Sequence, residues 1–260
     1  MINNKIVITG GHGFIGSHLV KQLQKDNDIF LLPRNFKTIP LADYYFLLAA
    51  YGNKYNQINE DEMIKANVLL LWNLLKASKN IPYKAFINFS SSSTLLEYET
   101  FYSATKGAGE RLVKAFVNKY DKPVVTVRPY SVYGPGDDLK HFIPVAIQAF
   151  KEDLELNVAP GEHDWIYIDD LVSGVLKVAE NAKKLKGECV NIGTGLSQSN
   201  YAVISILQDI FQKHGKIKRV GQMREYDTRN WASDNTIIKS LGWKPKIDLE
   251  EGLERCVYGN

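Results

Sequence analysis

The sequence predicts an α/β protein built on a doubly wound parallel sheet, with a smaller mixed lobe on its C-terminal side. Three observations predict it. Apolar strand-like runs alternate with helix-like segments through the first half of the chain. A glycine-rich run sits at the first strand-to-helix turn. From Pro129 onward the pattern becomes irregular and richer in proline, glycine and aromatic residues.

The elements follow in order. Lys5 to Ile8 is an apolar strand, and Thr9-Gly10-Gly11-His12-Gly13-Phe14-Ile15-Gly16 follows it directly, ahead of an amphipathic helix from Ser17 to Gln24. Gly10, Gly13 and Gly16 permit the tight turn, let backbone N–H groups approach a pyrophosphate, and let the helix lie close on the sheet. A dinucleotide site is the reading, because the strand before and the helix after are both in place. Further strands are expected at Ile29 to Leu32, Tyr45 to Leu48, Ala85 to Phe89 and Val124 to Val127, with helices at Glu60 to Lys79 and Tyr102 to Lys119. Glu188 to Ile192 is expected to return to the sheet. In such sheets ligands bind beyond the carboxyl ends of the strands, where the glycine loop, Ala49-Ala50 and a serine cluster all fall. Residues 1–128 therefore read as the dinucleotide-binding part, its sheet completed by about 165–195, and 129–164 with 196–260 as the second lobe.

Composition fits a cytoplasmic globular protein. At 260 residues and 45% hydrophobic content the chain can bury a large core. A net charge of +3 with interleaved acids and bases gives no reason to expect nucleic acid as a partner. Cys189 and Cys256 lie far apart and read as free thiols, no metal-ligand spacing is present, and no apolar run reaches the ~20 residues of a membrane span.

The second chemical signal is Tyr102-Ser103-Ala104-Thr105-Lys106. On a helix, Tyr102 and Lys106 share a face one turn apart. A phenol titrates near ~10 and is a poor base at neutral pH. An ammonium ~4 Å away is worth roughly 4 kcal/mol at an effective dielectric of about 20, which predicts a tyrosine lowered by as much as ~3 units.

Together the glycine loop and the Tyr/Lys pair resemble the short-chain dehydrogenase/reductase superfamily. Further matches point to its extended branch, the NAD(P)-dependent nucleotide-sugar epimerases, dehydratases and reductases with a Rossmann sheet. They include Leu47-Leu48-Ala49-Ala50, Asn88-Phe89-Ser90-Ser91-Ser92, the run from Val127 to Gly136, Asp164-Trp165 through Asp170, Asn191-Ile192-Gly193-Thr194-Gly195 and Leu241-Gly242-Trp243-Lys244-Pro245. The resemblance implies a cofactor site made of Gly10, Gly13, Phe14, Ile15, Gly16, Arg34, Asn35, Leu48, Ala49, Ala50, Ser90, Tyr102, Lys106, Pro129, Tyr130 and Val132. It implies Tyr102 as catalytic acid/base, Lys106 on the nicotinamide ribose, and a catalytic hydroxyl on Ser92, with Ser91, Ser93 and Thr94 as close competitors. The sugar nucleotide is implied to meet Tyr51, Ser91, Ser92, Ser93, Tyr102, Ser131, His163 and Arg224, with Arg229 the weaker arginine. Relatives often dimerise through the helices carrying Asn67 and the Tyr/Lys pair, and Val68-Leu69-Leu70-Leu71-Trp72 fits such a homodimer interface and equally fits a core.

Departures from the family pattern narrow the reaction. Only about ten residues separate the second strand from Tyr44, where relatives carry a further helix and strand. Leu31-Leu32-Pro33-Arg34-Asn35 has no acid for ribose hydroxyls, and Arg34 suits the 2′-phosphate of NADP(H), with NAD(H) the alternative. Ser93-Thr94-Leu95-Leu96 stands where dehydratases carry an Asp-Glu pair, with Glu97 and Glu99 at the wrong offset, which argues against dehydration. The family's Asn and Arg are replaced by Ser131 and His163, and Asp169 and Asp170 read as helix caps. The expected function is reduction of a keto group, at carbon 4, of a nucleotide-linked sugar by NADPH. The alternatives are a 4-epimerase with tightly held NAD and, third, a non-catalytic dinucleotide sensor.

Overall fold

A computed structural model describes residues 1–54, 56–221 and 230–259. In chain order the elements are β1 (Lys5–Thr9), α1 (Phe14–Leu23), β2 (Asp28–Leu31), β3 (Tyr44–Leu47), α2 (Glu60–Ile64), a π-helical turn (Lys65–Leu69), α3 (Leu70–Ser78), β4 (Ala85–Phe89), α4 (Phe101–Tyr120) and β5 (Val124–Pro129). There follow β6 (Ser131–Tyr133), α5 (Phe142–Glu152), β7 (Glu155–Val158), β8 (Glu162–His163), β9 (Trp165–Tyr167), α6 (Ile168–Glu180), β10 (Cys189–Ile192), β11 (Gln198–Ser199), α7 (Asn200–Phe211), β12 (Lys216–Arg219), α8 (Thr236–Ser240) and α9 (Leu249–Tyr258). They form two compact units. One comprises Met1–Pro129, Val172–Ile192 and Thr236–Trp243; the other comprises Tyr130–Leu171, Gly193–Asn235 and Lys244–Asn260.

The first unit holds a six-stranded sheet in the order β10-β5-β4-β3-β1-β2. Every pairing in it is parallel, from Lys5 opposite Asp28 at one edge to Cys189 opposite Thr126 at the other. The near-continuous apolar runs of β3 and β4 are what a strand covered on both faces requires, and both are buried throughout. Leu70, Leu71, Leu74 and Leu75 of α3 and Val113, Phe116 and Val117 of α4 pack with Tyr45, Leu47, Phe86 and Val124 in one core cluster. Each such side chain contributes roughly 1.5–3 kcal/mol when fully buried.

The sheet ends at β2, and residues 32–43 carry no regular element before β3. The short connection predicted from sequence is thus real, and it leaves Phe30 of β2 about half exposed on an edge strand. Helices begin and end within a few residues of expectation, with one difference. The segment expected as one helix from Glu60 to Lys79 is interrupted by the π turn at Lys65–Leu69, which widens the backbone around Asn67.

Among the described residues, the second unit contains three two-stranded sheets, β6 with β9, β7 with β12, and β8 with β11, so it is mixed as expected. Asp164, fully buried, organises it by accepting from the backbone N–H groups of Thr194, Gly195 and Ser233 and from the Thr194 and Ser233 hydroxyls. Asp170 lies in the first turn of α6, but its carboxylate accepts from Lys246 N–H and Ile247 N–H, both at 2.8 Å, and so clamps a distant stretch of chain. Among the described residues, no helix is long and apolar enough to cross a membrane.

Candidate active site

The glycine loop is shaped by contacts that side chains would destroy. Gly10 has φ +71°, and a Cβ there would lie 2.7 Å from the Ala49 backbone nitrogen. A Cβ on Gly16 would lie 2.1 Å from the Gly10 carbonyl oxygen. Gly13 is the N-cap of α1, donates its N–H to Gly10 O at 3.0 Å, and leaves the first turn of the helix without a side-chain cap or an acidic residue. An uncapped helix N-terminus approached by glycine backbone is a cradle for a pyrophosphate. These residues fit a dinucleotide.

The end of β3 abuts this loop. Ala49 N–H donates to Thr9 Oγ1 at 3.2 Å, and Leu48 N–H to Thr9 O at 3.2 Å. Arg34 is exposed and reaches back so that Nη2 donates to Ala50 O at 2.8 Å, with Asn35 exposed beside it. Asn67, buried at the π turn, accepts from Tyr51 N–H at 3.0 Å and donates to Tyr51 O at 2.8 Å and Thr105 Oγ1 at 3.0 Å. That clamp ties the segment after β3 to α4. Sequence reasoning left Asn67 as a helix residue, since nothing in the sequence announces a π turn. Gly52, at φ +106°, comes so close that a Cβ would lie 3.0 Å from Cδ2 of Tyr102.

Helix α4 starts where Thr100 and Ser103 form a reciprocal capping box, Ser103 N–H to Thr100 Oγ1 at 3.1 Å and Thr100 N–H to Ser103 Oγ at 2.8 Å. This fixes Tyr102 and Lys106 in the first two turns. Lys106 is 7% exposed, donates from Nζ to Phe89 O at 2.5 Å, and lies 5.9 Å from the Tyr102 ring centroid. Burial pushes the lysine down to about 8, opposed by the carboxylate of Glu110. An ammonium one turn away would lower Tyr102; instead burial pushes Tyr102 up to about 12. The reason is that both groups are desolvated, and the opposing influence on Tyr102 is a hydrogen bond with the Ser91 side chain.

Ser91 is thus the serine whose side chain bears on Tyr102. Its Oγ also accepts from Ser93 N–H at 3.2 Å and Ser93 Oγ at 2.9 Å. Ser92, to which the family alignment assigned the role, is buried at the start of a 3-10 turn. Ser90 Oγ donates to Glu110 at 2.5 Å. Pro129 ends β5 opposite Ile192 of β10.

In the second unit, Ser131 Oγ and His163 Nδ1 are 3.2 Å apart, so the two residues that replace the family's Asn and Arg touch each other. The His163 ring lies 4.7 Å from that of Trp165. Tyr130 meets Trp231 edge-on at 6.2 Å, and Val132 pairs with Ile166. Arg224 and Arg229 lie outside the described residues.

Known proteins bear on this arrangement. The family described as "NAD dependent epimerase/dehydratase family" matches residues 32–193, more than half of the chain. The chain belongs to that family. Membership makes it an NAD(P)-dependent enzyme, an oxidoreductase or an epimerase, as the sequence reading expected. Among curated proteins it is similar to CDP-abequose synthase of Salmonella muenchen, 27% identical over an alignment of 288 positions that covers 98% of each chain. It is also similar to UDP-glucuronate 4-epimerase 1 of Arabidopsis thaliana, 24% identical over 97% of this chain and 75% of that one. Among solved structures, UDP-N-acetylglucosamine 4-epimerase from Methanobrevibacter ruminantium superimposes with a TM-score of 0.88 at 24% identity, covering 99% of this chain and 98% of that one. The likeness confirms the Rossmann-type fold of the family.

Proposed function

We propose that the protein moves a hydride at one carbon of the sugar of a nucleotide-linked sugar, and that the reaction is a 4-epimerisation. The observation that carries the reading is a single acid/base centre, Tyr102 with Ser91 and Lys106 around it, at the carboxyl end of a parallel sheet that also bears a glycine cradle. Glu97 and Glu99, the acids nearest the serine turn in sequence, are exposed and so do not form a second acid/base pair beside Tyr102 for elimination chemistry. A bound nicotinamide dinucleotide supplies the hydride acceptor and donor. Backbone N–H groups at the start of α1 hold its pyrophosphate, Lys106 holds the nicotinamide ribose, and Ser91 hydrogen-bonds the reacting oxygen while Tyr102 takes and returns its proton. Several 4-epimerases of UDP-linked sugars among the curated relatives move the reading from reductase to epimerase.

Three observations favour keto-reduction as a second reading. Tyr102, pushed up to about 12, stands protonated at neutral pH, which is the state that donates to a keto oxygen. Arg34 stands beside Ala50 with no acid at the end of β2, which suits NADP(H), and the CDP-abequose synthase match spans both chains almost completely. The two are separated by purifying the protein, identifying any retained cofactor, and incubating it with UDP- and CDP-sugars. The 4-epimer forming by NMR without net change in nicotinamide absorbance is the expected result. Stoichiometric NADPH oxidation on a 4-keto sugar, with no epimer, moves the assignment to the reductase, and neither activity overturns both.

A further inference from the structure

Glu110 lies one turn beyond Lys106 on α4, and its carboxylate is a part-buried hub. Oε1 accepts from Ser90 Oγ at 2.5 Å and Arg128 Nε at 2.7 Å, with Thr94 Oγ1 at 3.2 Å; Oε2 accepts from Arg128 Nη2 at 2.5 Å. The guanidinium fork on β5 is matched bidentately, the geometry that makes such a pair specific. Ser90 and Thr94 bracket Ser91, and the single Thr94 hydroxyl hydrogen is shared between Glu110 Oε1 and Ser91 O, the latter at 2.9 Å. One carboxylate thus fastens both ends of the serine turn to the helix that carries Tyr102 and Lys106.

We infer that Glu110 is a positioning residue, fixing Ser91 against Tyr102 by holding Ser90, Thr94 and Arg128 together. This rests on the acid/base centre proposed above. A carboxylate bound only for stability would fill this role less economically, because the ion pair with Arg128 alone would satisfy it; the two hydroxyls at the ends of the turn are what the hub adds. Glu110 also bears on the charge of Lys106. The groups facing that ammonium are Phe89 O, the Tyr102 ring and the Glu110 carboxylate, the last being the influence that opposes burial.

The test uses two variants of the full chain, Glu110→Gln and the double variant Ser90→Ala/Thr94→Val. The second leaves the Glu110–Arg128 pair intact and decides the matter if the first does not fold. Hydrogen exchange is read at the amides of Ser93, Thr94 and Leu96, which are bonded within the turn, against those of β4. Exchange faster by about ten-fold in the turn, with β4 unchanged, is expected from loss of a charge-assisted anchor. In Glu110→Gln alone, the alkaline limb of kcat/KM should also move to lower pH by about one unit, because the charge that favours protonated Lys106 is gone. Turn exchange unchanged in the folded variants overturns the inference, whatever happens to activity. Absence of turnover in the wild type bears on the proposed function and leaves the exchange result standing.

Discussion

Ser91 and Ser92 separate what spacing can and cannot reveal about single residues. Tyr102 and Lys106 are legible because four residues on a helix make one turn, and that relation survives any detail of packing. The serine is not legible, because Ser90 to Ser93 are identical neighbours on a turn, and which hydroxyl turns toward Tyr102 depends on φ and ψ at each step. The proposed function places the role on Ser91, whose side chain opposes the rise of Tyr102. Ser91→Ala should therefore lower kcat by about 10² to 10³ with little change in dinucleotide affinity, whereas Ser92→Ala should stay within about ten-fold of wild type. Steady-state rates with cofactor dissociation constants for both variants check this, and the reverse ranking would return the role to Ser92. Arg34 is a second residue-scale case: its Nη2 is held on Ala50 O, which keeps the guanidinium over the end of β3. If it reads a 2′-phosphate, Arg34→Ala should weaken NADPH by about ten-fold or more and leave NADH unchanged, measured by fluorescence titration.

Elements were legible wherever one periodicity dominated. The alternation of apolar strands and amphipathic helices located β1 through β5 and α1 through α4, and the capping residues account for their ends, as Thr100 does for α4. The π turn was not legible, because it coincides with Asn67 holding both backbone groups of Tyr51, a contact between segments 16 residues apart that no local period announces. The second unit was legible only as irregular, since its strands are two to four residues long and too short to display a period. The turn between β1 and α1 offers the sharpest test of element geometry. Because a methyl group on Gly16 would lie 2.1 Å from the Gly10 carbonyl, α1 must shift away from the loop. Gly16→Ala should destabilise the fold by about 2 kcal/mol or more and abolish measurable dinucleotide binding, although alanine favours helix. Retained binding at wild-type affinity would mean that the pyrophosphate does not use this turn.

At the scale of the whole molecule, the proposed catalytic pair sets a pH dependence of stability whose sign can be worked out. Lys106 titrates at about 8 when folded and at 10.5 in the unfolded chain. Between those values the unfolded state binds more protons, so the contribution of this site to stability rises with pH. Tyr102 runs the other way, from 10.0 unfolded to about 12 folded, so the folded state binds more protons over that interval and stability falls. The pair therefore opposes folding most below pH about 8 and least near 10. A lysine held charged in this site at neutral pH costs stability of order 3 kcal/mol, from the size of its shift. Lys106→Met, an apolar chain of similar length, should accordingly raise the urea midpoint at pH 7 while removing activity, a trade of function against stability. The gain should shrink steadily from pH 8 toward 10, as the wild-type lysine loses its proton. Equilibrium urea unfolding of both proteins across that range measures it directly. A gain independent of pH would show that packing, rather than the buried ammonium, is what the methionine improves.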